Sequence, residues 1–351
     1  MTKTNTGNYF EDFSLGQNIT HATPRTITEG DVSLYIALTG SRFAVQSADS
    51  FAMDIGYPAA PVDDCLVFNM VFGKSVPDIS LNAIANLGYA DCKFLAPVFP
   101  GDTLSASSQV IGLRQLSNGK AGVVYVRTQG INQAGETVLD FVRWVMVSKR
   151  DENAPAPDAQ IPELPDKVAS DQLAQGLPPL ETQAYDMALA GAQHLWGDFE
   201  PGEKIDHVDG MTIEEAEHQT ATRLYQNTAK VHFNAHAQAG SRFGKRLIYG
   251  GHVISLARAL SFNGLGNAFH LAAINSGNHV APCFAGDTIY AWSEIIEVAE
   301  IPGREDVGAL RIRTVATKDH PCTDFPHKID DDAYEKNVLL DLDYWAVSPR
   351  A

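Results

Sequence analysis

Positive charge is scarce in this sequence. Its 351 residues hold 26 Lys and Arg against 43 Asp and Glu, a formal net charge of −17. That balance argues against a nucleic-acid partner, whose phosphates would be repelled. Cysteine is sparse too: Cys65, Cys92, Cys283 and Cys322 are scattered without a Cys-x-x-Cys pair, which indicates neither a disulfide framework nor a zinc knuckle. No stretch reaches about 18 uninterrupted apolar residues, and the opening "MTKTNTGNYFEDF" lacks the apolar core of a signal peptide. A cytoplasmic protein with no membrane partner is expected. Walker and Gly-x-Gly-x-x-Gly loops are missing, which leaves nucleotide hydrolysis and dinucleotide binding without support. Gly-x-Ser-x-Gly and papain-type cysteine motifs are missing as well. No cofactor is expected.

What is present is 44% hydrophobic and 20% charged residues, an ordinary globular composition in a chain long enough for two domains. It is also written twice. "APVFPGDTL" at Ala96–Leu104 returns as "APCFAGDTI" at Ala281–Ile289. "DFSLGQ" from Asp12 matches "DFEPGE" from Asp198, and "TITEGD" from Thr26 matches "TIEEAE" from Thr212, both 186 residues apart. "WVMVSKR" (Trp144–Arg150) resembles "YWAVSPR" (Tyr344–Arg350), the offset grown to 200 by an acidic, Pro-containing insertion. Ordered matches at nearly one offset indicate duplication. The expected division is 8–150 for the first copy, 151–189 for a linker rich in Pro and Asp, and 190–351 for the second copy.

Each copy shows a helix opened by a Thr-x-Glu capping signal, then an apolar helix, then alternating β-branched segments. Gly-Asp-Thr falls where strands turn, so turn chemistry explains it. One buried helix followed by antiparallel strands is an α+β arrangement, a sheet wrapped around one central helix. The central helices are expected to begin near Asp64 and near Gly251.

"YFEDFSLGQ", "LTG" before a loop, and "FLAPVFPGDTL" resemble the MaoC-like (R)-specific enoyl-CoA hydratase 2 family over nearly the whole chain outside the linker. The tandem arrangement with "APCFAGDTIYAWSE" looks most like the mesaconyl-CoA hydratase (β-methylmalyl-CoA dehydratase) subgroup. The resemblance implies a double hotdog fold, an acyl-CoA thioester partner and a homodimer. It also implies reversible syn hydration of a 2-enoyl-CoA, mesaconyl-CoA to β-methylmalyl-CoA.

The family signature is roughly Gly-Asp-x-Asn-Pro-x-His, whose Asp and His bind the attacking water. The first copy reads "GSRFAVQ", with Ser41 and Gln46 at those positions, and neither is a base near neutral pH. The second reads "QNTAKVH": Asn227 replaces the Asp and His232 keeps the His. An amide orients water but takes no proton, so the resemblance leaves His232 as the general base, with a pKa expected near working pH. The family's oxyanion hole is a backbone N–H at the start of the central helix, which falls on Gly251 in "YGGHVIS" and on Cys65, after Asp63 and Asp64, in the first copy. The chemistry is therefore expected in the second copy. Candidate substrate contacts are the cationic "GSRFGKR" (Arg242, Lys245 and Arg246), Arg223 and Arg242 for an extra carboxylate, and His279 beside the tunnel. His232 and His236 have His-x3-His spacing, but no third ligand is evident and no metal is expected. Two other functions compete: a thioesterase using Asp63 or Asp64, and a non-catalytic acyl-CoA-binding protein.

Overall fold

The computed structural model describes residues 3–330 and 333–350. The first copy supplies β1 (Asn18–Thr26), α1 (Glu29–Thr39), α2 (Asp64–Ser75), β2 (Ala83–Phe94), β3 (Thr103–Gln115), β4 (Ala121–Ile131) and β5 (Thr137–Ser148). The second supplies β6 (Lys204–Asp206), β7 (Met211–Thr212), α3 (Glu215–Leu224), the single turn α4 (Lys230–Phe233), α5 (Gly250–Leu260), β8 (His270–His279), β9 (Thr288–Glu300), β10 (Val307–Lys318) and β11 (Val338–Pro349). The strands form one antiparallel sheet, ordered β1-β3-β4-β5-β2-β8-β11-β10-β9-β6, with β7 paired to β9. The halves join where β2 meets β8, with Tyr89 opposite Gly277 and Lys93 opposite Ala273.

The repeat survives in atomic detail. Thr28 caps α1 by accepting from the Asp31 N–H, while Asp31 accepts the Thr28 N–H in return. Helix α3 starts 186 residues after α1, as "TIEEAE" predicts. At the two Gly-Asp-Thr turns, Gly101 and Gly286 take φ of 102° and 95°, a region that favours glycine. Asp102 Oδ2 accepts from the Phe99 N–H at 2.8 Å, and Asp287 Oδ2 from the Phe284 N–H at 2.9 Å. The following threonine hydroxyls pair with Thr26 and Thr212.

Helices α2 and α5 are buried from Cys65 to Ser75 and from Gly251 to Leu260. Enclosure on all sides explains why α2 carries no polar stripe. The two pack together, with the Asn69 amide donating to the Gly251 carbonyl (3.2 Å) and the Ser255 hydroxyl (3.0 Å).

The segment between the copies, expected as a linker, packs as a belt along the second copy. Val168, Leu173, Leu177 and Leu180 are buried with Trp345 and Val347 of β11, and the Trp345 indole donates to the Val168 carbonyl at 3.1 Å. Gln160 also pairs with Leu113 of the first copy. Covered by α5 on one face and the belt on the other, β11 is buried along its whole length.

Candidate active site

One cavity of about 720 Å³ opens between the copies. Its second-copy wall comes from the loop into α4, the start of α5 and the end of β8. Asn227, 1% exposed, sits in the turn before α4, with its Oδ1 accepting the Ala229 N–H at 3.1 Å. That bond assigns the oxygen and leaves the amide NH2 toward the cavity, where it has no protein partner among the described residues. His232 follows on α4 and borders the same space. Its Nδ1 lies 2.9 Å from the Leu247 carbonyl, which can only accept, so Nδ1 carries the proton and Nε2 keeps its lone pair. Burial pulls the His232 pKa down to about 4. The imidazole is therefore neutral at working pH, below the poised value that the sequence suggested, because few polar groups solvate its charged form.

Helix α5 starts beside it. Tyr249 is the N-cap and supplies no side-chain cap, so the Gly250 and Gly251 N–H groups lie in a first turn without intrahelical acceptors. The Tyr249 N–H is held by His218 Nε2 at 2.9 Å, which fixes the entry of the chain into the helix. Burial first, and then the neighbouring His232 and His252, push the His218 pKa down to about 2 and keep it an acceptor. Gly250 borders the cavity, and a Cβ there would meet His279 Nε2 at 2.4 Å. Gly251 lies one residue deeper, where a Cβ would meet Asn69 Oδ1 at 2.0 Å and the Tyr249 hydroxyl at 2.6 Å. Both positions need glycine because other groups fill the space. Two N–H donors at a helix N-terminus form a site for developing negative charge.

His279 borders the cavity with its Nε2 3.3 Å from the Tyr89 hydroxyl, and burial pulls its pKa down to about 4. The cationic cluster divides. Lys245 lies over the Phe284 ring at 4.1 Å and Arg242 over Phe243 at 5.3 Å, beside the cavity mouth, where Phe243 and Lys230 border the opening. Arg246 is committed to Glu215 (2.7 Å) and to Gln219. Arg223 is exposed and borders no part of the cavity. His236 is exposed on a neighbouring turn, and no metal-holding cluster is found among the described residues.

The equivalent place in the first copy is closed. Asp63 caps α2 with Oδ1 on the Cys65 N–H at 2.9 Å, so the donor corresponding to an oxyanion hole is already satisfied. Asp63 also receives the Tyr35 and Ser41 hydroxyls, while Asp64 accepts from the Leu271 N–H and lies 3.0 Å from His270 Nδ1. Gln46 donates to the Phe269 carbonyl. Burial, and then Asp64, raise the Asp63 pKa to about 6. Neither aspartate reaches the open cavity.

Cavity residues that sequence reasoning missed include Tyr89, Lys230, Tyr249, Gly250 and Arg143. Arg143 left a signal, a lone cation inside the apolar β5 segment "TVLDFVRWVMVS".

Two half-sheets fused edge to edge around paired central helices, with a histidine, an amide and a helix N-terminus in one cavity, define a double hotdog protein of the MaoC-like class. A solved MaoC domain protein dehydratase from Chloroflexus aurantiacus matches with a TM-score of 0.97 and 62% identity, covering 100% of both chains. A conserved hypothetical protein from Mycobacterium tuberculosis, described as having a double hotdog fold, matches at TM-score 0.73 and 25% identity over 98% of this chain and 99% of its own. The chain belongs to the mesaconyl-CoA hydratase family, whose model matches residues 1–324. It is 63% identical over 349 residues to a beta-methylmalyl-CoA dehydratase of Chloroflexus aurantiacus, covering 99% of each chain. It is 58% identical over 352 residues to a mesaconyl-CoA hydratase of Cereibacter sphaeroides, covering 99% of this chain and 100% of the relative.

Proposed function

We propose that this protein is a hydro-lyase that adds water reversibly to mesaconyl-CoA, giving β-methylmalyl-CoA. The observation that carries the reading is that His232 with its Nε2 lone pair, the Asn227 amide and Gly250 in the uncapped first turn of α5 border one cavity. Water sits between Asn227, which donates to its oxygen, and His232 Nε2, which takes its proton. The oxygen bonds to C3, and the C2=C3 electron pair moves toward the thioester. The resulting enolate oxygen is held by the N–H groups of Gly250 and Gly251. The His232 imidazolium then returns the proton to C2 on the same face, which makes the addition syn. With its resting pKa pulled down, His232 is a weak base, and the imidazolium formed on taking the proton returns it readily to C2.

An acyl-CoA partner agrees with the cationic mouth at Arg242, Lys245 and Lys230. A cytoplasmic location agrees with four free, buried cysteines. Association as a homodimer, near twice 38.0 kDa, is tested by light scattering. The decisive assay follows loss of enoyl-thioester absorbance from mesaconyl-CoA, with the product identified by mass and configuration. His232→Ala should lower kcat by about 10²–10⁴-fold with the fold intact. Near-parental turnover by that variant would sink the mechanism. Release of free CoA without hydration would favour a thioesterase instead.

A further inference from the structure

We infer that Arg143, supplied by the first copy, is the receptor for a carboxylate on the acyl group and sets the enzyme's preference for dicarboxylic monothioesters. The inference rests on the hydratase reading above. Arg143 is 0% exposed on β5 and borders the cavity. Its Nη2 donates to the Ser75 hydroxyl at 2.8 Å and reaches Ser80 at 3.5 Å, while Nη1 reaches Ser80 at 3.4 Å. Nε is buried with no partner. No carboxylate pairs with this guanidinium among the described residues, although Asp and Glu total 43 in the chain. Other arginines in the sheets have found theirs: Arg127 lies between Asp91 and Asp140, and Arg311 on Asp343. Burial lowers the Arg143 pKa to about 10, which leaves it cationic at neutral pH.

An enclosed cation without a counter-ion is costly in a folded protein and persists where a ligand completes it. The location fits. The guanidinium stacks over Phe72 at 4.2 Å, the Phe72 ring lies 5.5 Å from Tyr249, and Tyr249 lies 5.5 Å from His232. The Tyr249 hydroxyl, also buried and unpartnered, borders the same space. In mesaconyl-CoA the free carboxylate is bonded to C3, the carbon that receives the hydroxyl. The receptor must therefore border the same cavity as the base, as Arg143 does, and the planar fork of arginine suits two carboxylate oxygens.

The test compares the parent, Arg143→Gln and Arg143→Lys on mesaconyl-CoA and on tiglyl-CoA, in which a methyl group replaces the carboxylate. Calorimetric binding of the unreactive succinyl-CoA and butyryl-CoA provides a second readout. Arg143→Gln should lower kcat/KM for mesaconyl-CoA by about 10²–10³-fold, leave any tiglyl-CoA rate unchanged or raised, and weaken succinyl-CoA but not butyryl-CoA. Arg143→Lys should recover part of the loss. An equal fall on both substrates, or unchanged discrimination between the two saturated thioesters in a folded variant, would overturn the inference. If the parent hydrates no enoyl-CoA, the hydratase reading fails, while the binding comparison still decides the role of Arg143.

Discussion

Replacing Gly251 by alanine is the most direct probe of how the two copies hold one reactive helix end. The new methyl would lie 2.0 Å from Asn69 Oδ1 and 2.6 Å from both Cζ and the hydroxyl of Tyr249. Asn69 cannot swing aside freely, because its NH2 is held by the Gly251 carbonyl and the Ser255 hydroxyl. Tyr249 is buried between His232 and Phe72. Overpacking of this kind costs about 1–3 kcal/mol, a fall of a few degrees in Tm for a chain of this size. The helix start must also shift, which moves N–H donors of a kind each worth about 10²–10³ in kcat. Pairing Gly251→Ala with Asn69→Ala removes the nearest obstacle, so the double variant should melt above the sum of the two single losses. The measurements are thermal denaturation and hydration rate for all four members of the cycle. Additive losses, or a Gly251→Ala protein with parental Tm and kcat, would show that α2 and α5 do not meet as described.

Asn227→Ala removes one neutral hydrogen bond to water and should cost about tenfold in kcat, far less than His232→Ala; equal losses would make the amide more than an orienting group. Ser41→Ala in the closed first-copy pocket should leave kcat within about twofold, and a large fall would place chemistry there. Five histidines (His207, His218, His232, His252 and His279) are pulled below their ordinary pKa, four to about 4 and His218 to about 2. The unfolded chain binds protons at these sites first, so their contribution is complete above pH about 6.5 and is lost on acidification toward pH about 4. Each histidine sets a slope of about 1.4 kcal/mol per pH unit within that window. Asp63, raised to about 6, acts in the opposite sense and offsets about one of them. Tm should therefore fall steeply between pH 7 and pH 5, and a flat profile would contradict the burial of these rings.

Local chemistry was readable in proportion to how local its cause is. The two Gly-Asp-Thr turns, the starts of α1 and α3 and the central helices all follow from nearby residues. Motif position also brought Asn227 and His232 to one cavity. The packing of the linker was not legible because its Pro-rich sequence has no period, and its order comes from Val168, Leu173 and Leu177 docking on strands distant in sequence. The meaning of Arg143 was hidden for a related reason. An arginine in a strand is ordinary until depth and the lack of a counter-ion are known. The pKa of His232 likewise depends on enclosure by residues far along the chain.

The register of β5 and β11 has a consequence for how such a site can evolve. Arg143 lies opposite Val126 and Tyr344 opposite Ile312, 186 residues further on, so the position that holds a buried cation in one copy holds a phenol in the other. A symmetric pair of identical single-hotdog chains could not hold that arrangement, because every substitution there appears twice. A cation suited to one pocket would enter the other as well, along with its full burial cost. Covalent fusion lifts that constraint. One half can keep a charge waiting for its ligand while the other fills the matching position with Tyr344, whose hydroxyl pairs with that of Thr314. The chain gives up one of two potential reaction centres and gains a single centre whose walls can be tuned independently.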